Sequence, residues 1–306
     1  MVPGRLDSLL RRWEMRGLAR LARDSDEALV ELLRAVGSDD TSLKLASLSA
    51  LLELVEEANW RERKRFLEFG FDALVDSLSS DDPRVLRKTL AILSTLLRNN
   101  PLSGARLLKL VRALTGLAET KNEAVWEELL RVVDSVMAPY VDDNVANELK
   151  ELLTSGTAGE AIIVAMILLE TGAIDNDRWV TLVERVAGAL LSGEHRLVDA
   201  GLVASTKISK LPPVYPMDVL IKELIPALRK TLLDCDDPMR KAGAAEVFDR
   251  LRETLVRYYR VRPREAQRVV EELMHLGLID EAYMISSAIG TIPMSPWNSY
   301  GNRGKL

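Results

Sequence analysis

The chain has little of the chemistry that most active sites need, because its 306 residues include one cysteine and two histidines. Cys235 cannot form an internal disulfide, and a metal site built on several cysteines is excluded. His195 and His275 are 80 residues apart in the sequence. No glycine-rich phosphate loop or serine nucleophile elbow occurs. We therefore expect a protein that is not an enzyme, with no catalytic residue, metal or cofactor.

The chain also lacks a basic balance and long apolar segments. Its net charge is −5, so no positive field of the whole protein attracts nucleic acid. The longest uncharged apolar run, Ala161–Leu169, is too short to span a bilayer. The first residues, MVPGRLDSLLRRWEMRG, carry charges throughout and do not resemble a signal peptide. We expect a cytoplasmic protein with no membrane partner, which also suits a lone cysteine.

Glutamine is nearly absent, with Gln267 as its single instance, and the basic residues comprise 29 arginines and 12 lysines. A shortage of this thermolabile amide is typical of thermophilic proteins. High-GC codon usage also favours arginine, so both origins stay open.

What the chain does contain is helical periodicity in almost every window. In the segment Val85–Leu97, leucines at 86, 90, 93 and 97 form one apolar face, and charged residues take the opposite side. This i, i+4, i+7, i+11 spacing predicts an amphipathic α-helix. No strand-like alternation extends over a useful length, so the sequence predicts an all-α protein.

Short polar turns divide these helical windows at intervals of about 40 residues. The motif Asp-Asp-Pro occurs in SDDPRVLRK at 80–88 and again in DCDDPMRK at 234–241. Aspartate caps free backbone N–H groups at a helix start, and proline suits the first helical turn, so each motif predicts the start of a helix. Similar turns begin at Ser38, Ser80, Thr120, Ser155, Ser192 and Cys235. A second amphipathic segment precedes each turn, which indicates two antiparallel helices per repeat.

The segment Glu223–Leu251 resembles the HEAT repeat family most closely. Its first helix carries a leucine-rich face interrupted by Pro226, as in that family, and the turn and second helix supply Asp237 and Arg240. The resemblance implies that these two groups connect adjacent repeats. Their spacing is one residue shorter than the usual family spacing. As architecture, the resemblance covers most of the chain.

We therefore expect a right-handed α-solenoid of about seven antiparallel helix pairs, similar to HEAT and armadillo repeats. Residues 1–292 would form one solenoid, with a capping helix within 1–23 and a short capping pair at 262–292. Residues 293–306 have no helical pattern and would form a flexible tail. Fold does not fix function, but a solenoid typically presents a long surface for partners. The sequence thus favours a protein–protein interaction scaffold.

The densest charge asymmetry is the segment 250–268, RLRETLVRYYRVRPREAQR, in which tyrosines lie among arginines. This Arg/Tyr segment could bind an acidic protein partner, or it could hold nucleic acid phosphates as the HEAT-like DNA glycosylases would. Alternatively, its arginines pair with carboxylates of the neighbouring repeat. The candidate binding residues here are Arg250, Arg257, Tyr258, Tyr259, Arg260, Arg262, Arg264 and Arg268.

Three further regions are candidate interaction sites. The second helices of the pairs should line the inner wall, where the candidates include Arg84, Arg87, Lys88, Glu127, Arg131, Arg196, Lys207, Arg240 and Lys241. In the tail, Trp297 and Tyr300 are aromatic residues of the type enriched at binding hot spots, and they either dock onto a partner, fold back onto the last repeat or stay disordered. The apolar helix 161–169 is either buried between its neighbours or exposed as a groove, for a partner helix or for a homo-dimer.

Overall fold

The computed structural model describes residues 14–139 and 141–290, and the chain divides into two compact units between Ile174 and Asp175. In the described part of the first unit every regular element is helical. These helices are α1 (Met15–Asp24), α2 (Asp26–Val36), α3 (Thr41–Glu57), α4 (Trp60–Asp76), α5 (Pro83–Leu97), α6 (Gly104–Thr115), α7 (Glu123–Ser135), α8 (Asp143–Ser155) and α9 (Ala158–Thr171). A short 3₁₀ turn, Ser77–Ser79, follows α4.

The second unit continues the same alternation of helices and short turns. Its helices are α10 (Asn176–Leu190), α11 (His195–Lys210), α12 (Ile225–Asp234), α13 (Pro238–Arg260), α14 (Pro263–His275) and α15 (Ile279–Ala288). No strand occurs among the residues described in either unit. The all-α prediction is therefore confirmed, and α2 to α15 form the seven pairs that the turn spacing predicted.

Helices of the first unit lie in two layers. The first helices of successive pairs, α2, α4, α6 and α8, pack side by side, and so do the second helices α3, α5, α7 and α9. Helix α1 packs against α3, where it covers the flank that a preceding repeat would cover. Helix α1 overlaps the segment within 1–23 that we predict to be an N-terminal cap, and residues 1–13 lie outside the described range. In the second unit, α11, α13 and α15 pack in the same way.

The repeated Asp-Asp-Pro motif has the role that its chemistry predicts. The Asp82 carboxylate accepts a hydrogen bond from the backbone N–H of Arg84 at 2.8 Å, and α5 begins with the proline between them. The Asp237 carboxylate accepts from the N–H of Met239 at 2.8 Å, at the start of α13. Both motifs therefore end a turn and start the second helix of a pair.

Pro226 changes the helix that contains it. A proline inside a helix lacks one donor, and its ring clashes with the carbonyl four residues earlier. The residues immediately before it, Leu220–Leu224, form a wider π-helical turn, and α12 continues from Ile225. The proline in the HEAT-like first helix therefore coincides with a local widening of the helix.

The apolar helix 161–169 is buried along its whole length. Every residue from Ala161 to Leu169 in α9 is at most 8% exposed. Gly159, at the start of α9, lies close to the turn between α6 and α7. A Cβ added to Gly159 would be 2.8 Å from the carbonyl oxygen of Ala118 in that turn. The alternative of an exposed groove for a partner helix or a homo-dimer at 161–169 is therefore wrong, because these side chains already form core.

Ion pairs connect successive first helices in the first unit. Arg65 of α4 donates to Asp26 of α2 at 2.7 Å, and Lys109 of α6 contacts Asp72 of α4 at 2.7 Å. Arg112, also on α6, reaches Glu148 of α8 at 2.6 Å. These carboxylates are one repeat away from their cations, so many charged residues of the first helices are already engaged.

Candidate binding groove

A groove crosses the second helices α3, α5 and α7 of the first unit. Its volume is about 720 Å³. Three successive repeats contribute to it, which is the arrangement that a solenoid offers to an elongated partner. Its lining residues are Leu45, Ser49, Leu52, Glu56, Arg84, Arg87, Lys88, Ala91, Ser94, Thr95, Glu128 and Arg131. We call this surface the groove.

Helix α5 forms the middle of the groove because its two faces differ. Val85, Leu90 and Leu93 are fully buried in the core. On the groove side of α5, Arg87 is exposed and Lys88 is half-buried, and both line the groove. Arg87 and Lys88 lie three and four residues after Arg84, so the helical period places all three cations on the groove side of α5.

Two of the groove's cations have carboxylate partners on their own helix or cap. Arg84 folds back on the capping carboxylate of Asp82, with a distance of 2.8 Å. The hydrogen bonds from the Arg84 side chain lower the pKa of Asp82 below its usual value. Arg131 contacts Glu128 at 2.5 Å, three residues earlier on α7. Each pair presents little net charge to a partner.

Arg87 and Lys88 remain as cations without a carboxylate partner in the described part of the chain. At the far end of the groove, the Glu56 side chain on α3 is likewise exposed and unpaired among the described residues. The groove therefore has a cationic side at the start of α5 and an acidic end at the last turn of α3.

Small side chains form the floor between these charges. The Ser49 hydroxyl donates to the carbonyl of Leu45 at 2.7 Å, and the Thr95 hydroxyl donates to that of Ala91 at 3.0 Å. Their donors are therefore used inside the helices, and their oxygens can only accept from a partner. The half-buried Leu52 adds apolar surface, and the buried Leu45 borders it. The small side chains leave space above the floor for a polypeptide, and the lining supplies both apolar and polar contacts.

Only part of the Arg/Tyr segment is available to a partner. Tyr259 is fully buried, and burial raises the pKa of its phenol. Tyr258 packs edge-on against it with ring centroids 5.0 Å apart. The Tyr258 hydroxyl donates to Glu265 at 3.2 Å, and the guanidinium of Arg262 lies 4.0 Å from its ring centroid. Tyr259 is therefore a core residue, which corrects its place among the candidate binding residues.

The arginines of this segment fall into two groups. Arg250 pairs with Glu246 at 2.7 Å, and Arg257 pairs with Glu253 at 3.1 Å, both one turn away on α13. Their partners are local and not on a neighbouring repeat. Exposed arginines without a carboxylate partner in the described residues are Arg252, Arg260, Arg264 and Arg268.

Arg240 is a connection between repeats. Its guanidinium donates to both carboxylate oxygens of Asp199, at 2.6 and 3.0 Å, on the preceding second helix α11. It also lies 2.9 Å from Asp237 and from the Nδ1 atom of His195. Since arginine only donates, His195 accepts at Nδ1. The HEAT resemblance implied this role for Arg240, but Asp199 was not among the candidates.

The remaining candidates contribute less. Lys241 is half-buried on α13 in the second unit. Trp297 and Tyr300 lie outside the described residues, as does the rest of the predicted tail. Among the residues described, no group of three or more histidines, cysteines and carboxylates is placed to hold a metal ion. In the same residues, no helix is long and apolar enough to cross a membrane.

Comparison with solved structures identifies the class of fold as the HEAT-like α-helical repeat. An archaeal HEAT-like repeats protein from Thermococcus onnurineus NA1 is similar over 82% of this chain and 97% of its own, with a TM-score of 0.66 and 20% identity. A designed armadillo repeat protein, solved in complex with the peptide (KR)4, covers 73% of this chain with a TM-score of 0.44, too loose a match to bear on function. No family model matches the chain. No curated protein matches its sequence.

Proposed function

We propose that this protein is a non-enzymatic interaction scaffold that holds a segment of a partner protein in the groove. One observation carries the proposal: three successive second helices bring unpaired charges and a floor of small side chains onto one surface. A repeat fold supports this function, because each repeat adds contacts to the same elongated site. The lone thiol of Cys235 suits the cytoplasmic location that we propose with it.

The charges of the groove favour an acidic partner segment. Arg87 and Lys88 have no carboxylate to satisfy them among the described residues, so a partner's aspartates or glutamates would take that place. A single exposed ion pair contributes only about 0.2–1 kcal/mol. Affinity would therefore depend on several such pairs together with burial of apolar surface on the half-buried Leu52.

Nucleic acid binding is the second candidate function, and the free arginines of the Arg/Tyr segment favour it. Arg260, Arg264 and Arg268 are exposed without carboxylate partners in the described residues. They could contact phosphates or an acidic protein surface. Phosphate binding predicts that the affinity for a labelled single-stranded oligonucleotide falls steeply as salt increases. It also predicts that R260E/R264E abolishes this binding.

Selection from a library of random peptides displayed on phage tests the scaffold proposal. The wild-type protein should enrich a defined set of peptides containing aspartate or glutamate. These peptides should bind the double variant R87E/K88E at least tenfold more weakly. The matched control is R252E/R260E, which reverses two exposed and unpaired arginines far along the chain and should bind the peptides as the wild type does.

Two results would contradict the proposal. Enrichment no greater than for an unrelated helical protein would mean that the groove does not bind peptides. A loss of binding in R252E/R260E, with none in R87E/K88E, would place the site on the Arg/Tyr segment. Circular dichroism of both variants should match the wild type, because three of the substituted side chains are exposed and the fourth, Lys88, is half-buried.

A further inference from the structure

A second surface lies in the second unit, where the turns inside the helix pairs expose large apolar side chains. Leu233 is 72% exposed at the end of α12, and Met239 is 80% exposed at the start of α13. Leu191 follows α10, and Ile279 starts α15, and both are about half exposed. In the first unit, the four corresponding turns are all described and expose no large apolar side chain. The feature is therefore not a general property of this fold.

Two adjacent clefts connect three of these apolar side chains, Leu191, Leu233 and Ile279. The first, of about 340 Å³, joins the turn at Leu191 to the turn after α12. The second, of about 500 Å³, joins Leu233 to the turn before Ile279. Lys230 lines both clefts, so the two form one continuous strip across three helix pairs. We call this strip the turn edge.

The charges along the turn edge are partly engaged. Arg229 contacts Asp280 at 2.7 Å and the buried Glu281 at 3.1 Å, so it is held within the unit. Lys230 is exposed and has no carboxylate partner among the described residues. Asp234 and Asp236 line the first cleft as exposed acids. A partner that matches these charges carries an acid opposite Lys230 and a base opposite the two aspartates.

Repeat geometry decides between a helix and a strand as the partner. Packed helices typically lie about 8–10 Å apart, so we expect successive apolar positions along the turn edge to be separated by about that interval. Seven residues of an α-helix rise about 10.5 Å and return to nearly the same face. In an extended strand, about three residues span this distance, and an odd step turns the side chain to the opposite face. A helix with apolar residues every seven positions therefore fits the spacing.

We propose that the turn edge binds an amphipathic α-helix of a partner protein. Apolar side chains of that helix, seven residues apart, would enter the two clefts beside Leu191, Leu233 and Ile279. A carboxylate between them would pair with Lys230. This surface is separate in sequence from the groove, since all its residues belong to the second unit. It would give the scaffold a second binding site with a different preference.

A synthetic helix provides the probe. The fluorescent peptide has about three helical heptads with one leucine per heptad, glutamates in the middle and lysines at one end. Its control has the same composition with the leucines on different faces. By fluorescence anisotropy, the full chain should bind the heptad peptide at least tenfold more tightly than the control. L233E/I279E should weaken that binding at least tenfold. K230E should also weaken it, and a second peptide with lysine in place of the central glutamates should restore binding to K230E.

The matched control variant is V261E, because Val261 is 72% exposed like Leu233 but lies at the end of α13 away from the clefts. It should bind as the wild type does. Equal binding of the two peptides, or unchanged binding in L233E/I279E, would overturn the proposal. Analytical sedimentation tests whether a second copy of the chain covers the turn edge instead. A wild-type dimer that L233E/I279E dissociates would show this and would also overturn the proposal of a partner helix.

Discussion

Replacing Gly159 with alanine tests the close packing between repeats in the first unit. The new Cβ would lie 2.8 Å from the Ala118 carbonyl oxygen and 3.2 Å from the Ala118 Cβ. The first contact is shorter than side chains tolerate and the second is tighter than most, and the backbone at Ala118 cannot rotate away as a flexible side chain would. Overpacking of this kind typically costs about 1–3 kcal/mol. We expect G159A to lower the free energy of unfolding by about 1–2 kcal/mol, because alanine recovers part of the loss through its helix propensity.

Gly188 is the matched control, since it lies inside helix α10 with no atom within 4 Å of an added Cβ. There the same substitution should stabilise the protein by about 0.5–1 kcal/mol. Urea denaturation followed by circular dichroism measures both variants. For the first unit, Met1–Ile174, a change of about 1 kcal/mol in the free energy of unfolding corresponds to a change of about 2–4 °C in Tm. A G159A protein as stable as the wild type would refute the close approach of α9 to the turn before α7.

Three further predictions concern the second unit. The buried hydroxyl of Tyr259 has no hydrogen-bond partner in the described structure, so Y259F should leave the Tm unchanged or raise it by the equivalent of about 1 kcal/mol, and a clear loss would reveal a hidden partner. R229A should leave the 2% exposed Glu281 without its ion pair and destabilise the unit by about 2 kcal/mol in urea denaturation, less than the about 3–5 kcal/mol of a fully buried pair because Arg229 is 30% exposed; an unchanged midpoint would contradict this pairing. The hydrogen bond from the Met239 N–H lowers the pKa of Asp237, so its stabilising effect should be present above the usual aspartate pKa and lost as the pH falls through the lowered value. The stability difference between wild type and D237A should therefore shrink in acid, and a constant difference from neutral pH to strong acid would contradict the capping role.

The sequence predicted the repeat architecture well because its signals are local. Caps such as Asp82 and Asp237 depend on residues next to them in the chain, and the apolar period of α5 depends on residues within one helix. Both therefore appear in a single sequence. The seven pairs and the start of most second helices follow from such signals alone.

Contacts between repeats were harder to predict, for a physical reason. Asp199 is 41 residues from its partner Arg240, and many other carboxylates lie at similar distances in the sequence. Which one pairs is decided by the rotation of each helix about its axis. The same rotation turns Tyr259 into the core while Tyr258, one residue earlier, stays half-buried.

The groove was predictable in part. Arg84, Arg87, Lys88 and Arg131 were inner-wall candidates, and the structure brings them together. Their counterparts on α3 were missed because Leu45, Ser49 and Leu52 are ordinary residues at helical spacing. Leu45 borders the buried face of α3, and Ser49 and Leu52 continue its i, i+4, i+7 series into the groove, a signal that is visible once the neighbouring helix is known.

Methyl NMR of the alanine-labelled protein measures most directly whether the groove is the binding surface. The peptide selected by phage display is titrated into the full chain, and the methyl signal of Ala91, in the middle of the groove, should shift with saturation. The signal of Ala242, exposed on α13, should stay in place. Shifts at Ala242 with none at Ala91 would contradict the account.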